Sequence, residues 1–547
     1  MNSERHRRPP GRVIRLAAAA LTLLASAGCG VLAGADPASA PDGVLTFATN
    51  AQPECLDPQV SPLDVTALVD RSVFDSLVSM TPDGKFHPWL ATSWTVSPDQ
   101  RTYTFHLRHG VVFHDSAPFD ASAVKATLDH AVDPKTRSKY AARLVRGYTG
   151  ATVLDADTVQ VALSRPDASF LQALSTAYLG IQSPKSLSQN ANNLCERPVG
   201  SGPLRFVSWD HNSKITLTRY DAYDWGPASA AHTGPTALRG VVFRFVTDDS
   251  VRFGMLASGQ ADMVDFLPNS KVATVRRSDA LHVYRAPAPG AVYQVYFNVS
   301  HGPLADERVR QAVRASIDLD ALVKAVTFGQ FQRAWSPLGP ATLGYDPQVV
   351  GSWQHDPALA GRLLDEAGWT GRDAEGFRTK NGVRLSLLWP YSPRVEQPDR
   401  QVLAQGIQAE VKQAGIDLSF VPTDAGKLGD EVVKGNLDIF DNSFERAEPD
   451  ILRYIYSSKE TPANGGGNLS YIASPELDGW LDAAVATSDP ATRAAAYGKA
   501  QQYLVQHAVA LPIWVPEHIV GALSRVRGLS FSPEAQPLFY DVSLASS

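Results

Sequence analysis

Cysteine is nearly absent: 3 in 547 residues, alongside 4 Met, which excludes a disulfide-dense miniprotein scaffold. An excess of either charge is also missing. Lys plus Arg number 50 against 56 Asp plus Glu, for a net charge of -6 and a pI near 6.1, so no basic surface for nucleic acid is expected. Apolar runs stop short of the roughly 18 to 20 residues that span a bilayer, which excludes a polytopic membrane protein. The phosphate loop G-x-x-x-x-G-K-S/T, the zinc motif H-E-x-x-H and the elbow G-x-S-x-G are all missing. The 13 His are scattered, and the nearest cluster is His106, His109 and His114. Alternation puts His106 on a strand face and the other two in the following turn, so no metal site is expected. Ser201 lies between glycines in Pro198-Val199-Gly200-Ser201-Gly202-Pro203, but no base accompanies it. That segment reads as a sharp turn, not a nucleophile. No enzyme activity and no cofactor are expected.

What is present is a mixed globular composition, 44% hydrophobic with 40 Gly and 38 Pro, long enough for three to four domains at roughly 150 residues each. Residues 1–28 read as an export signal. Arg5, Arg7, Arg8, Arg12 and Arg15 form a basic head, and Leu16 to Ala27 a short apolar stretch. The string A-S-A-G-C ending at Cys29 resembles a bacterial lipobox, which implies cleavage before Cys29 and a lipid on its sulfur; Ser26 stands where that motif usually has Leu. Five Arg against one Glu leave with the leader, taking the formal charge from -6 to -10. Residues 29–41, rich in Ala, Gly and Ser, then form a tether to the membrane. Cleavage at the Ala-Ser-Ala before Pro41 is a competing site that releases a soluble chain. With Cys29 given to lipid, Cys55 and Cys195 remain as one pair, bridged in an oxidising compartment or else two buried thiols.

From Gly43 the chain reads as mixed α and β. Val44 to Ala48, Thr102 to Leu107, Val241 to Phe245 and Tyr293 to Asn298 read as strands. Val309, Ala312, Val313, Ser316 and Ile317 make a helical stripe behind the acidic start Asp306-Glu307. Leu403, Ile407, Val411 and Ala414 make another, closed by Gly415.

The most specific stretch runs from Ala91 to Lys125, A-T-S-W-T-V-S-P-D-Q-R-T-Y-T-F-H-L-R-H-G-V-V-F-H-D-S-A-P-F-D-A-S-A-V-K. It resembles the signature of the solute-binding proteins of peptide/nickel-type ABC importers, extracellular solute-binding protein family 5; Ser116 replaces the family's usual Gly. Further matching strings follow in order: Pro198 to Pro203, Gly259-Gln260-Ala261-Asp262, Val309-Arg310-Gln311-Ala312, Leu364 to Trp369, Asn468 to Tyr471 and Leu511-Pro512. Much of the signature reads as structural, with Trp94, Phe105 and Leu107 as core and Arg108 and Asp115 as a buried pair or turn brace.

The resemblance implies an α/β fold, a two-lobed periplasmic-binding-protein clamshell of type II with an extra subdomain in the first lobe. The first lobe is expected over 42–86, 198–288 and 515–547, the inserted subdomain over 87–197 and the second lobe over 289–514. Crossings are expected near Ala286-Pro287-Ala288 and Leu511-Pro512-Ile513. The implied function is capture of a small solute, a di- or oligopeptide by base rate, for delivery to an ABC permease. Alternatives are a metal chelate, sugar or opine, or a solute sensor. A monomer held to the membrane by its lipid is expected.

Relatives that bind peptides hold the ligand ammonium with a carboxylate in a loop ending acidic-Pro. The matching stretch, Phe444-Glu445-Arg446-Ala447-Glu448-Pro449-Asp450, points to Glu445, and Arg446 beside it is placed to neutralise that carboxylate. Some dipeptide-binding relatives grip the ligand carboxylate with an Arg shortly before a helix, and the resemblance places Arg394, at the end of Trp389-Pro390-Tyr391-Ser392-Pro393-Arg394, at that point with its fork of donors. Trp389, Tyr391 and Trp514 are candidate aromatic walls, and Asn50 a candidate contact after the first strand.

Overall fold

The computed structural model describes residues 43–189, 191–393 and 397–545. The leader, Cys29 and Arg394 fall outside them. Among the described residues no helix is long and apolar enough to cross a membrane.

Two large sheets, one mixed and one antiparallel, organise the described residues. The first has seven strands in the order Leu281–Pro287, Glu517–Leu523, Met263–Val264, Val44–Thr49, Gly240–Phe245, Lys214–Arg219 and Leu204–Asp210. Val44–Thr49 runs parallel to both neighbours, and the outer pairs are antiparallel. Its core is Leu45, Phe47, Val241, Phe243 and Val520, the inward positions of alternating strands. The second sheet is antiparallel, in the order Gln332–Arg333, Ala510–Val515, Gly290–Phe297 and Ile439–Glu445. Gly290–Phe297 and Ala510–Val515 are buried along their whole length, covered by helices on both faces.

The helix Glu307–Ala315 starts where the acidic signal put it, with the Asp306 side chain accepting from Arg308 N. Pro398–Gln413 buries Leu403, Ile407 and Val411, and Gly415 takes φ +87°. A separate four-stranded sheet, Ala91–Val96, Thr102–Leu107, Thr158–Leu163 and Tyr148–Asp155, carries the family-like signature. Phe105 and Leu107 lie in its core, while Trp94 is only half-buried. Arg108 and Asp115 do not pair. Arg108 Nε donates to Trp89 O at 3.0 Å, and Asp115 accepts from Ser183 Oγ at 2.7 Å and from Ala117 N at 3.1 Å. Ser116 adopts φ +66°, the left-handed conformation that a Gly would take without cost.

The Pro198–Pro203 segment is a close backbone approach. A Cβ on Gly200 would sit 2.0 Å from Val73 O, and Ser201 Oγ donates to the buried Asp75 at 2.8 Å. Burial raises the Asp75 carboxyl to about 6, against donors from Ser201, Trp225 and Tyr223. Ser201 therefore braces the helix Asp64–Val73. Cys55 and Cys195 are joined as a disulfide, with Cα atoms 4.2 Å apart.

The chain passes between the two large sheets twice. One crossing is Ala288-Pro289, between Leu281–Pro287 and Gly290–Phe297. The other is Pro516, between Ala510–Val515 and Glu517–Leu523. The second lies beyond the expected Leu511–Ile513, which is interior to a strand of the second sheet. Ala288 N donates to Pro516 O at 2.9 Å, so the crossings run side by side. Pro287, Pro289 and Pro516 have no N–H to give to a ladder, which leaves the crossings thinly bonded. Arg285 braces them, reaching Glu517 Oε2 at 2.5 Å and Gln330 O at 2.7 Å.

Candidate functional site

A cavity of about 380 Å³ opens between the two sheets, large enough for a small solute. One wall comes from the first sheet and its loops, with Thr49, Asn50, Asp64, Asp265 and His518. The other comes from the edge strand Ile439–Glu445 and the helix Pro398–Gln413, with Asn442 to Arg446 and Arg400. Gly290 makes the second wall possible. It pairs with Glu445 at φ +95°, and a Cβ there would lie 2.2 Å from Phe444 O. The loop after Glu445 is fixed by ion pairs of Glu448 with Arg493 and of Asp450 with Arg453, the latter closing at 2.9 Å through Nε. A carboxylate on so rigid a support is preorganised for a ligand.

Glu445 faces this cavity, and among the described residues its carboxylate accepts no hydrogen bond. Burial pushes it above the usual carboxylate range and Asp64 adds to this, while His518 and Arg446 pull the other way. Arg446 does not neutralise Glu445 by direct pairing. Its Nη1 donates to Asp64 Oδ1 at 3.1 Å and to the Glu445 carbonyl at 2.8 Å. Its guanidinium lies 4.5 Å over the Tyr140 ring and 5.6 Å from that of Tyr178. Burial alone would lower Arg446; Tyr140 and Asp64 outweigh it and hold the group above its ordinary value.

Asn50 lines the cavity, half-buried. The aromatic candidates do not. Trp389 is 1% exposed and gives its Nε1–H to Asp441 at 2.8 Å, and Trp514 is 4% exposed against Tyr293 at 4.5 Å. Both belong to the second-sheet core, where large rings fill the space between strand and helix. Tyr391 stacks on Phe420 at 4.1 Å, also outside the cavity walls. The aromatic side chains of the walls are Phe444 and Phe266, the latter 38% exposed with φ +48° and tilted against the His518 ring at 4.9 Å between centroids. A bulky residue in that conformation is costly, as is common at ligand clamps.

Three charged groups of the site escaped sequence reading. Arg400 donates to Ser443 Oγ at 3.0 Å and lies 4.3 Å over Tyr293, while its buried Nε has no partner among the described residues. His518 and Asp265 form a buried ion pair, with Thr49 Oγ1 3.4 Å from the same carboxylate. The available signal was slight: a His beside Glu517 at the start of a strand that is apolar from Ile519 on, and an Arg in the first helical turn off the Leu403–Ile407 stripe.

The His518 ring is held above its ordinary value, because Asp265, with Glu445 and Asp64 behind it, outweighs burial. A raised folded value means the pair stabilises the fold below the unfolded value of about 6.5 and loses this as pH rises through the folded one. The stability advantage of wild type over His518→Gln is therefore expected to shrink between pH 6 and pH 9. Urea unfolding at both pH values checks this, and an advantage that grows with pH would contradict it.

With Asp64 paired to Arg446 and Asp265 to His518, Glu445 and Arg400 are, among the described residues of these walls, the anion and the cation outside an ion pair, and Arg400 also acts on the buried Asp441. That arrangement complements a zwitterion. Among the described residues no group of three His, Cys, Asp or Glu is placed to hold a metal.

The chain matches the family model described as bacterial extracellular solute-binding proteins, family 5 middle, over residues 85–465. It is 29% identical over 531 residues to the glutathione-binding protein GsiB of Salmonella paratyphi A, covering 95% of this chain and 98% of that protein. The structure of the periplasmic binding protein DppA from Helicobacter pylori in complex with peptide STSA is similar at TM-score 0.76 and 26% identity, over 92% of this chain and 98% of DppA. NikA from Brucella suis in complex with Fe(III)-EDTA shares the fold at TM-score 0.81 and 24% identity, over 92% and 100% of the two chains. These likenesses establish the two-lobed α/β architecture expected from the signature. The chain belongs to the bacterial extracellular solute-binding proteins of family 5.

Proposed function

We propose that this chain is the substrate-binding component of an ABC importer that closes its cleft on a peptide-like solute and delivers it, chemically unchanged, to a membrane permease. The observation that carries the reading is the Glu445 carboxylate, facing the cavity without a donor among the described residues and therefore suited to a ligand ammonium. Arg400, with a buried Nε still to be used, is the matching donor for a ligand carboxylate; Arg394, six residues earlier in the chain, is a second. A relative that binds glutathione and one solved with a peptide agree with a zwitterionic ligand. The cleft stabilises closure only through contacts that exist when both walls touch the ligand.

In this reading residues 1–28 direct export, Cys29 carries the lipid, and 29–41 tether the binder beside its permease. The lobes divide at 42–86, 198–288 and 515–547 for the first, 87–197 for the inserted subdomain and 289–514 for the second. One lipid chain alone binds reversibly, so docking on the permease completes the localisation.

Mass spectrometry of small molecules that copurify with the chain is expected to find a peptide or peptide-like zwitterion. A sugar or a metal chelate there overturns the peptide reading. Glu445→Ala is expected to weaken binding of a ligand with a free amino terminus at least tenfold by calorimetry, about the 1.5 kcal/mol of a charge-assisted hydrogen bond. Unchanged affinity removes Glu445 from the site.

A further inference from the structure

A second cavity, about 360 Å³, lies next to the first and shares Phe444 and Arg446 with it as a partition. Its far walls come from the inserted subdomain, at Tyr140 to Arg146 and Asp167 to Ala173, and from the second-sheet side at Glu448 to Tyr454 and Glu460. Charge is dense here, but most of it is already paired. Arg453 holds Asp450, Arg146 holds Glu460, Glu448 is taken by Arg493, and Lys139 reaches Glu54. The buried Asp167 carboxylate accepts from Ser169 N at 3.0 Å and from Ser169 Oγ at 2.5 Å.

Two cations are left over. The Arg143 guanidinium makes no hydrogen bond or ion pair among the described residues and lies 5.4 Å over the Tyr454 ring. Arg165 stands exposed in the same wall, likewise without an ion pair among the described residues. A half-buried guanidinium stacked on an aromatic face keeps its fork of donors free for a carboxylate. Among the described residues the uncommitted charge of this chamber is therefore positive.

Resting on the reading of Glu445 as the ammonium anchor, we infer that the second cavity receives an additional carboxylate of the ligand, with Arg143 as its counter-ion. The preferred cargo class is then a peptide that carries an acidic side chain beyond its first residue. Arg446 at the partition lies between the anchored amino terminus and this chamber, so the acidic group must follow the terminus, not precede it.

The test titrates the full chain by calorimetry with trialanine, Ala-Glu-Ala, Ala-Ala-Glu, Ala-Lys-Ala and Ala-Ala-Lys. One Glu peptide is expected to bind at least tenfold more tightly than its Lys counterpart, and this ratio is expected to fall toward one in Arg143→Gln and to recover in part in Arg143→Lys. Circular dichroism confirms that each variant is folded. If Arg143→Gln does not fold, the decay of the wild-type ratio between 50 mM and 500 mM salt is the second measurement, since an ion pair is screened and a shape preference is not. Equal binding of Glu and Lys peptides, or a ratio that survives in Arg143→Gln or is indifferent to salt, overturns the inference and leaves the peptide reading standing. Failure of all five peptides to bind overturns both.

Discussion

Arg446→Ala is expected to weaken ligand binding about thirtyfold, mostly by faster release, while the fold stays intact. Arg446 belongs to the second-sheet side but spends its contacts across the cleft, on Asp64, Tyr140 and Tyr178. Asp64 is half-exposed, so the ion pair itself contributes under about 1 kcal/mol. The guanidinium over Tyr140 is better shielded and contributes up to about 2 kcal/mol. Together these give about 2 kcal/mol, the thirtyfold effect. The contacts join opposite walls, so their loss is expected to favour an open cleft. Arg446→Lys keeps charge but not the planar fork and is expected to fall between the two. Stopped-flow fluorescence with a bound peptide separates release from capture, and small-angle scattering reports the closed fraction. An affinity within threefold of wild type, or an unliganded scattering profile identical to wild type, would show that Arg446 is not a latch.

The destination of Arg446 shows where sequence reading ends. Adjacency suggested that it would neutralise Glu445, yet neighbours at a strand end point to opposite sides, and the partner Asp64 lies 382 positions away. Local patterns were legible because they are local. Alternation marked Thr102–Leu107, and an acidic cap with an apolar stripe marked Glu307–Ala315. The family-like strings carried the two-lobed architecture. The crossing that the resemblance put near residue 512 falls inside a strand; the Pro is accommodated in Ala510–Val515 beside a register shift at Tyr293/Gln294, where a missing N–H costs little. Trp389 and Trp514 were misread because an indole suits a core as well as a ligand wall, and only three-dimensional packing decides between them. Glu445 could be named as a candidate because its loop motif fixes a position; Arg400 and His518 could not, since each reaches the cavity wall only when distant strands converge.

Replacing both Cys55 and Cys195 by Ser is expected to lower the unfolding free energy of the seven-stranded-sheet unit by about 5 kcal/mol, the largest stability effect of any change considered for this chain. The bridge closes a loop of 140 residues, and the chain-entropy relation gives about 5 kcal/mol for a loop of that length. The pair sits at a structural junction. Leu56 N donates to Cys195 O at 2.9 Å, so the segment after the first strand is tied to the segment before Pro198 by backbone as well as sulfur. That segment runs from Asn50 and Ala51, which line the ligand cavity, to Cys55, with Gln52 bonded to Asn212 at 3.0 Å on the way. The bridge therefore also holds one wall of the cleft in place before ligand arrives, so less ordering remains for the ligand to pay for on binding. Urea unfolding with and without reductant measures the stability effect, and calorimetry on the double variant measures the second. A midpoint that does not move on reduction would contradict the stability argument. A lower midpoint with unchanged affinity would show that Asn50 and Ala51 are held by hydrogen bonds alone.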